Sequence, residues 1–574
     1  MSFPSPIALF LSSRHGRIAW RPSLLIGCLL FALLVACTGN PAPADDTPVA
    51  AAPTGKPATA VSTPAPIPET PTATATITAT VAITATAVTP QYMTAEKLSA
   101  LQAYISEAME TAQIPGAAVA LVENGALVYA GGFGVRQLGQ TDPITPDTLL
   151  LVGSTTKPLT TLMMATVVDD GLTTWDTPVT AVSPTFAVAD ADLTGQLLMR
   201  HLVCACSGLP SLDAPLFLTD MSTAEDLLRS LAVTKPVSRL EKRYNYSNQM
   251  VAAGGYLAAL AAGGPADDLG AGYVRAMQQR VLTPLAMNRS TFDVAQIQAS
   301  DDAAVPHGLT LDGVYEPLDL TAEKFVRAVL PAGGLWSTAQ DMAQVLIVEL
   351  NEGVVADGRR LVSAANLTRT WEPQVTINPA EGAYGLGWFI TDYHAMPLTH
   401  HAGNTMGFSA ELAFLPEPGL GIVVLTNAEA AGNFTEAVRN RFFELALDLP
   451  EEAATAFQNN ETASLQRIAR YAALLKPEIA ATAVAPYLGN FHNDMLGTIS
   501  LQEQDGALVL VTGGLTSEVR QLTGAPEPTF VLSEAPWAIL GMWTLRLSEN
   551  ADGQPVIILN ENNVAAPFVF QRSD

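Results

Sequence analysis

The apolar positions of this chain change period several times, and each change marks an element. Leu98, Leu101, Ile105 and Met109 recur at helical spacing until Pro115-Gly116 stops the pattern. Two short apolar runs, 117–122 and 126–130, flank Glu123-Asn-Gly125 and predict a hairpin. Helices are predicted from 154 to about 169, closed by Gly171, and over 195–203, 223–232 and 247–263. A second hairpin is predicted where 410–415 and 421–426 bracket Pro416-Glu-Pro-Gly419, after which 434–447 returns to helical period. Strands at both ends of a helical middle predict a mixed α/β domain over 92–448, one antiparallel sheet with helices on its faces. Residues 449–483 read as a helical connector. From 484 to 574 the period falls to two, in short strands punctuated by Gly, Asp and Asn, which predicts a small antiparallel barrel or sandwich.

The N-terminal stretch reads differently. Arg14, Arg17 and Arg21 precede an apolar run over 24–36, the pattern of a secretory signal and too short for a comfortable membrane span. Leu34-Val-Ala-Cys37 resembles a bacterial lipobox, which implies cleavage after residue 36 and lipid on the Cys37 sulfur. Residues 37–91 are almost wholly Ala, Thr, Pro and Val and predict an extended, disordered tether. The expectation is an extracytoplasmic protein of the bacterial cell envelope, held to the membrane by a lipid.

A net charge of -26 offers no basic stripe and argues against a nucleic-acid partner. Of four cysteines, Cys28 leaves with the signal and Cys37 is the anchor candidate. Cys204 and Cys206 stand one residue apart, so they form either a strained disulfide or two buried thiols. No zinc site follows, because no second ligand pair is evident.

Candidate chemistry centres on Ser154 and Lys157. Three residues apart at a helix start, they share one face, and an amine there could take the proton of a serine nucleophile. Only one of the seven lysines has a serine three positions before it. Tyr246 and Asn248 add a phenol that can relay a proton and an amide that can bind a carbonyl. His400-His401-Ala-Gly403-Asn404 precedes the second hairpin and is expected at or on an edge strand, where Gly403 lets a substrate backbone approach. Neither histidine has metal-ligand spacing, so a metallohydrolase is rejected.

Ser154-x-x-Lys157, Tyr246-x-Asn248 and His401-x-Gly403, in that order, resemble the signature elements of the serine β-lactamase and penicillin-binding family. The His-x-Gly form is similar to its class C branch, which includes D-alanyl-D-alanine carboxypeptidases, D-aminopeptidases and esterases. Gly131-Gly-Phe-Gly134, Ser207-Gly-Leu-Pro210, Gly333-Gly-Leu335 and Tyr384-Gly-Leu-Gly-Trp388 fit the same branch. The C-terminal strands resemble the lipocalin-like modules appended to some of its members. Ala205 stands where relatives often carry histidine, and His401 where β-lactamases carry lysine.

The resemblance implies a serine acyl hydrolase with a Ser154 acyl-enzyme and no metal or organic cofactor. Lys157 and Tyr246 would share the proton traffic, Asn248, His401 and Gly403 would line the substrate, and the Ser154 and Asn404 N–H groups would hold the oxyanion. Its partners would be an ester, amide, β-lactam or D-amino-acid peptide. His401 could clamp a substrate carboxylate only when protonated, so acidification toward pH 6 is expected to favour such substrates. The competing reading is a surface lipoprotein that binds penicillin or peptidoglycan and acylates slowly or not at all.

Overall fold

The computed structural model describes residues 92–573, except 379, 477–480, 526–527, 537–542 and 562–566. The expected signal, Cys37 anchor and tether all fall in 1–91, outside the described residues.

The main sheet has eight strands: β1 (Gly116–Glu123), β2 (Ala126–Gly134), β3 (Val375–Asn378), β4 (Gly382–Tyr384), β5 (Phe389–Tyr393), β6 (Met396–Asn404), β7 (Ser409–Leu415) and β8 (Leu420–Thr426). Their order is β2-β1-β8-β7-β6-β5-β4-β3, every pair antiparallel. The two predicted hairpins meet edge to edge, with Ala117 opposite Thr426 and Glu123 opposite Leu420. Strands β1, β7 and β8 are buried throughout, which is why they read as continuous apolar runs rather than alternating ones.

The reason is that both faces of the sheet are covered. Val119, Leu121, Ile422 and Val424 face α1 (Ala95–Ala112) and α5 (Gly432–Leu447) through Leu101, Ile105, Phe434 and Phe442. Ala118, Ala120 and Val423 face a second core that holds α2 (Thr156–Asp169), α3 (Asn248–Ala261) and α4 (Ala339–Leu350). Helix α6 (Ala453–Ala473) then leads toward the C-terminal strands.

Two expectations change. The helix over 195–203 is two short pieces, Ala191–Gln196 and Met199–Leu202, parted by extended Leu197 and Leu198. Strand β6 is no outer edge, since β5, β4 and β3 lie beyond it. Yet its ladder to β5 ends at the His400–Phe389 pair, so His401 to Asn404 pair only with β7. The edge character expected of His401 therefore exists locally. Strands β3 to β5 escaped sequence reading because their burial is mixed and each is short.

The C-terminal strands form a closed eight-stranded antiparallel barrel. Its strands run in sequence order from Gly489–Asn493 to Phe568–Arg572, and those two pair to complete the ring. Thr516–Leu522, unread in the sequence because only Val519 and Leu522 are apolar and they stand three apart, pairs with both of its neighbours. Phe491, Leu501, Leu510, Val519, Leu545, Ile557 and Phe570 are buried in this region. The barrel packs on the main domain where the Trp543 ring meets Phe217 edge-on at 5.4 Å, and Phe217 stacks on Phe325 at 4.5 Å.

Candidate active site

Ser154 sits at a sharp corner. The buried strand Leu150–Leu151 ends, Gly153 takes φ +54, and a three-ten turn, Gly153–Thr155, runs into α2. Only glycine holds that φ without cost. A β-carbon on Gly153 would lie 3.0 Å from Asn404 N, and one on Gly403 would lie 2.2 Å from the Val152 carbonyl oxygen and 3.2 Å from Ser154 N. The end of β6 and the Ser154 turn thus touch backbone to backbone. This is why both positions are glycine.

Lys157 lies in the first turn of α2, three residues after Ser154, and is fully buried. Its Nζ is 2.9 Å from Ser154 Oγ, 2.9 Å from Asn248 Oδ1 and 2.7 Å from the Ala332 carbonyl oxygen. Burial pushes this amine down to about 7, against the opposing pull of Asp213. A neutral amine has two N–H donors and one lone pair. Asn248 Oδ1 and the Ala332 oxygen can only accept, so they take both donors. The lone pair is left aimed at the Ser154 hydroxyl.

Tyr246 donates to Ser154 Oγ from the other side at 2.9 Å, and Lys157 Nζ lies 4.7 Å from its ring centre. Ser154, Lys157, Tyr246 and Asn248 are thus brought together in the structure. The Asn248 amide is oriented by its two neighbours, with Nδ2 donating to Asp213 Oδ1 at 3.1 Å. Burial raises the Asp213 carboxyl, while bonds from Asn248 and Ser211 and the charge of Lys157 oppose the shift. The segment before Tyr246 is pinned by Asn245 N–H donating to the Ala205 oxygen at 2.7 Å. Cys204 and Cys206 flank Ala205 and are joined in a disulfide, which settles the alternative left open between bridge and free thiols.

His401 departs from expectation. It is 1 % exposed, and its ring lies 6.1 Å from that of Tyr246. Its Nδ1 is 2.6 Å from the Ala402 oxygen, an obligate acceptor, so Nδ1 carries the proton. Nε2 then accepts from Tyr384 OH at 3.0 Å. Burial pushes its pKa down to about 3, and the Lys157 charge adds to the shift. The imidazole is neutral across the physiological range, so the expected clamp that charges near pH 6 is corrected: the ring donates to the Ala402 oxygen and accepts from Tyr384 instead.

Sequence reading missed three participants. Tyr384 and the Ala332 carbonyl lie in or beside motifs that had been singled out, but their contacts could not be foreseen. Asp213 carried no signal at all.

A model of the Beta-lactamase family matches residues 101–445. The chain belongs to the beta-lactamase family. It is 28% identical over 354 residues to penicillin-binding protein 4 of Amycolatopsis lactamdurans, covering 59% of this chain and 88% of that protein. It is 25% identical over 360 residues to a beta-lactamase of Escherichia coli, covering 56% of this chain and 86% of that one. An unguisins hydrolase of Aspergillus campestris is 25% identical over 345 residues, and the match spans only 61% of its length. Among solved structures, the octameric penicillin-binding protein homologue from Pyrococcus abyssi has a TM-score of 0.54 at 19% identity. That match covers 82% of this chain and 99% of the homologue, and it shares the fold.

Proposed function

We propose that this protein is a serine acyl hydrolase of the class C type, acting through a Ser154 acyl-enzyme on ester or amide bonds. One observation carries the reading: Ser154 Oγ lies 2.9 Å from both a buried, readily deprotonated lysine and a tyrosine hydroxyl. Lys157 accepts the Ser154 proton as Oγ attacks the substrate carbonyl carbon. The resulting oxyanion turns toward the N–H groups of Ser154 and Asn404. Tyr246 passes the proton to the leaving group as the carbon–heteroatom bond breaks. Water then gives a proton to the same pair as its oxygen attacks the acyl carbon, the carbon–Oγ bond breaks, and the pair returns that proton to Oγ, which releases the acid and restores Ser154.

The substrates favoured are uncharged esters and amides, because none of the site residues named above, all among the described residues, is a permanent cation that could meet a carboxylate. Incubation with a fluorophosphonate followed by peptide mapping tests the nucleophile. The adduct is expected on Ser154 and absent from Ser154→Ala; an adduct elsewhere, or full activity in Ser154→Ala, sinks the mechanism. The barrel is read as a lipocalin-like module, on the strength of its eight strands in sequence order. We further propose that Cys37 carries lipid and holds the catalytic domain outside the bacterial membrane on the 37–91 tether. Metabolic labelling with a clickable fatty acid should mark the wild type and spare Cys37→Ser, and an unlabelled, soluble wild type refutes the anchor.

A further inference from the structure

Glu323 is a buried carboxylate whose bonds converge on one turn. It lies in the three-ten stretch Leu320–Val329 and is 3 % exposed. Its Oε1 accepts from Thr405 Oγ1 at 2.9 Å and from Gly407 N–H at 2.8 Å, and its Oε2 from Met406 N–H at 3.4 Å. These donors belong to the three residues that directly follow Asn404. Thr405 N–H closes the same turn onto the Phe408 oxygen at 2.9 Å. The Thr405 side chain also reaches the nucleophile corner, since its Cγ2 would lie 3.2 Å from a β-carbon on Gly153.

The chain carrying Glu323 runs on to Ala332, whose carbonyl holds Lys157. One segment therefore grips the turn beside Asn404 at one end and the base at the other. A carboxylate is a costly way to fill a buried site, and burial pushes this one up to about 7. A second buried carboxylate, Glu429, feels its charge and accepts from Leu309 N–H at 2.9 Å rather than from the turn.

We propose that Glu323 is a positioning residue that fixes the direction of the Asn404 N–H and so sets the oxyanion hole. This rests on the acyl-hydrolase reading above, in which that N–H meets the developing charge. An interaction made only with the transition state shows itself in discrimination, not in binding. A thiono ester places sulfur where the oxyanion would form and gains less from hydrogen-bond donors aimed at oxygen. The ratio of kcat/KM for an oxo ester to that for its thiono analogue therefore reads the hole.

Wild type, Glu323→Gln, Glu323→Ala and Glu429→Gln are compared on that pair of esters, with Ser154 labelling by fluorophosphonate run alongside. Losing one oxyanion donor costs about 10²–10³ in kcat, and a displaced donor less. Glu323→Ala is expected to lower oxo-ester turnover by about tenfold to a hundredfold and to lower the oxo/thiono ratio several-fold. Glu323→Gln keeps a carbonyl oxygen for Thr405 and Gly407 and should restore most of the ratio; Glu429→Gln should leave it unchanged. Thr405→Val, which spares the two backbone donors, carries the test if Glu323→Ala does not accumulate, with a smaller fall of about threefold. An unchanged ratio in the Glu323 and Thr405 variants, or an equal loss on both esters, overturns the proposal while the hydrolase reading stands. A wild type that turns over neither ester and takes no label on Ser154 overturns both.

Discussion

His400 and His401 are neighbours on β6 and face opposite sides of the sheet. Behind His400, its Nδ1 lies 3.0 Å from Glu411 Oε1, and Arg439 donates to the same oxygen at 2.6 Å. Burial alone would raise the Glu411 carboxyl; Arg439 and His400 instead hold it down to about 2. On the His401 side, the buried Lys157 is surrounded by a hydroxyl, an amide and a carbonyl. Its amine gives way to about 7, and the His401 imidazole to about 3. One face neutralises charge by pairing it and the other by shedding protons. Pairing leaves a charged cluster, and shedding leaves a neutral amine with a lone pair.

Removing one member from each side breaks the comparison in opposite directions. Lys157→Met should slow acylation by about 10²–10⁴, the usual scale of lost general-base help. It should also raise the melting temperature at pH 6. The folded amine titrates at about 7, and an unfolded lysine at about 10.4. The penalty for charging it is therefore complete below pH 7, shrinks between pH 7 and 10.4, and is gone above, amounting to about 5 kcal/mol at most. Arg439→Met leaves Glu411 buried without its main partner and should cost about 3–5 kcal/mol at pH 7. The loss should narrow as pH falls from 4.5 toward 2, where wild-type Glu411 itself takes up a proton. Thermal denaturation and ester turnover, measured on both variants, separate the roles. A Lys157→Met protein that melts earlier at pH 6, or a folded Arg439→Met protein that is inactive, would erase the distinction between the faces.

The same contrast explains what the sequence could tell. Ser154, Lys157, Tyr246 and Asn248 were legible because chemistry demands those residue types at short, fixed spacings, and β1, β7 and β8 because full burial leaves unbroken apolar runs. Glu323 and Asp213 act through contacts to residues 82 and 35 positions away in the chain. No local pattern records such contacts. The pH at which His401 gains a proton was out of reach of the sequence for a related reason. Its pKa depends on burial beneath Tyr384 and Phe389 and on the nearness of Lys157, all properties of the packed sheet. Short strands such as β4 carry too few residues to establish any period.

The smallest expected effect concerns specificity, and here a near-absence of change is the informative result. Were His401 a clamp that charges near pH 6, acidification would strengthen carboxylate binding by about ten- to hundredfold, the worth of a charge-assisted bond. A ring held to about 3 gains no proton between pH 8 and 6. Deprotonation of Lys157 still governs both substrates, so kcat/KM for an ester and for a cephalosporin should each rise through about pH 7 as its base form accumulates. Glu323 titrates in the same range, so the rise should be checked in Glu323→Gln, where it should persist if it belongs to Lys157. The two substrates share that limb, and it cancels from their ratio. The ester-to-cephalosporin ratio is thus expected to stay within about twofold from pH 6 to 8, with the ester preferred throughout. A several-fold drop in that ratio at pH 6 would mean that a cation other than Lys157, whose charged form is inactive toward both substrates, forms in the site on acidification, and His401 would be the first group to re-examine by NMR titration.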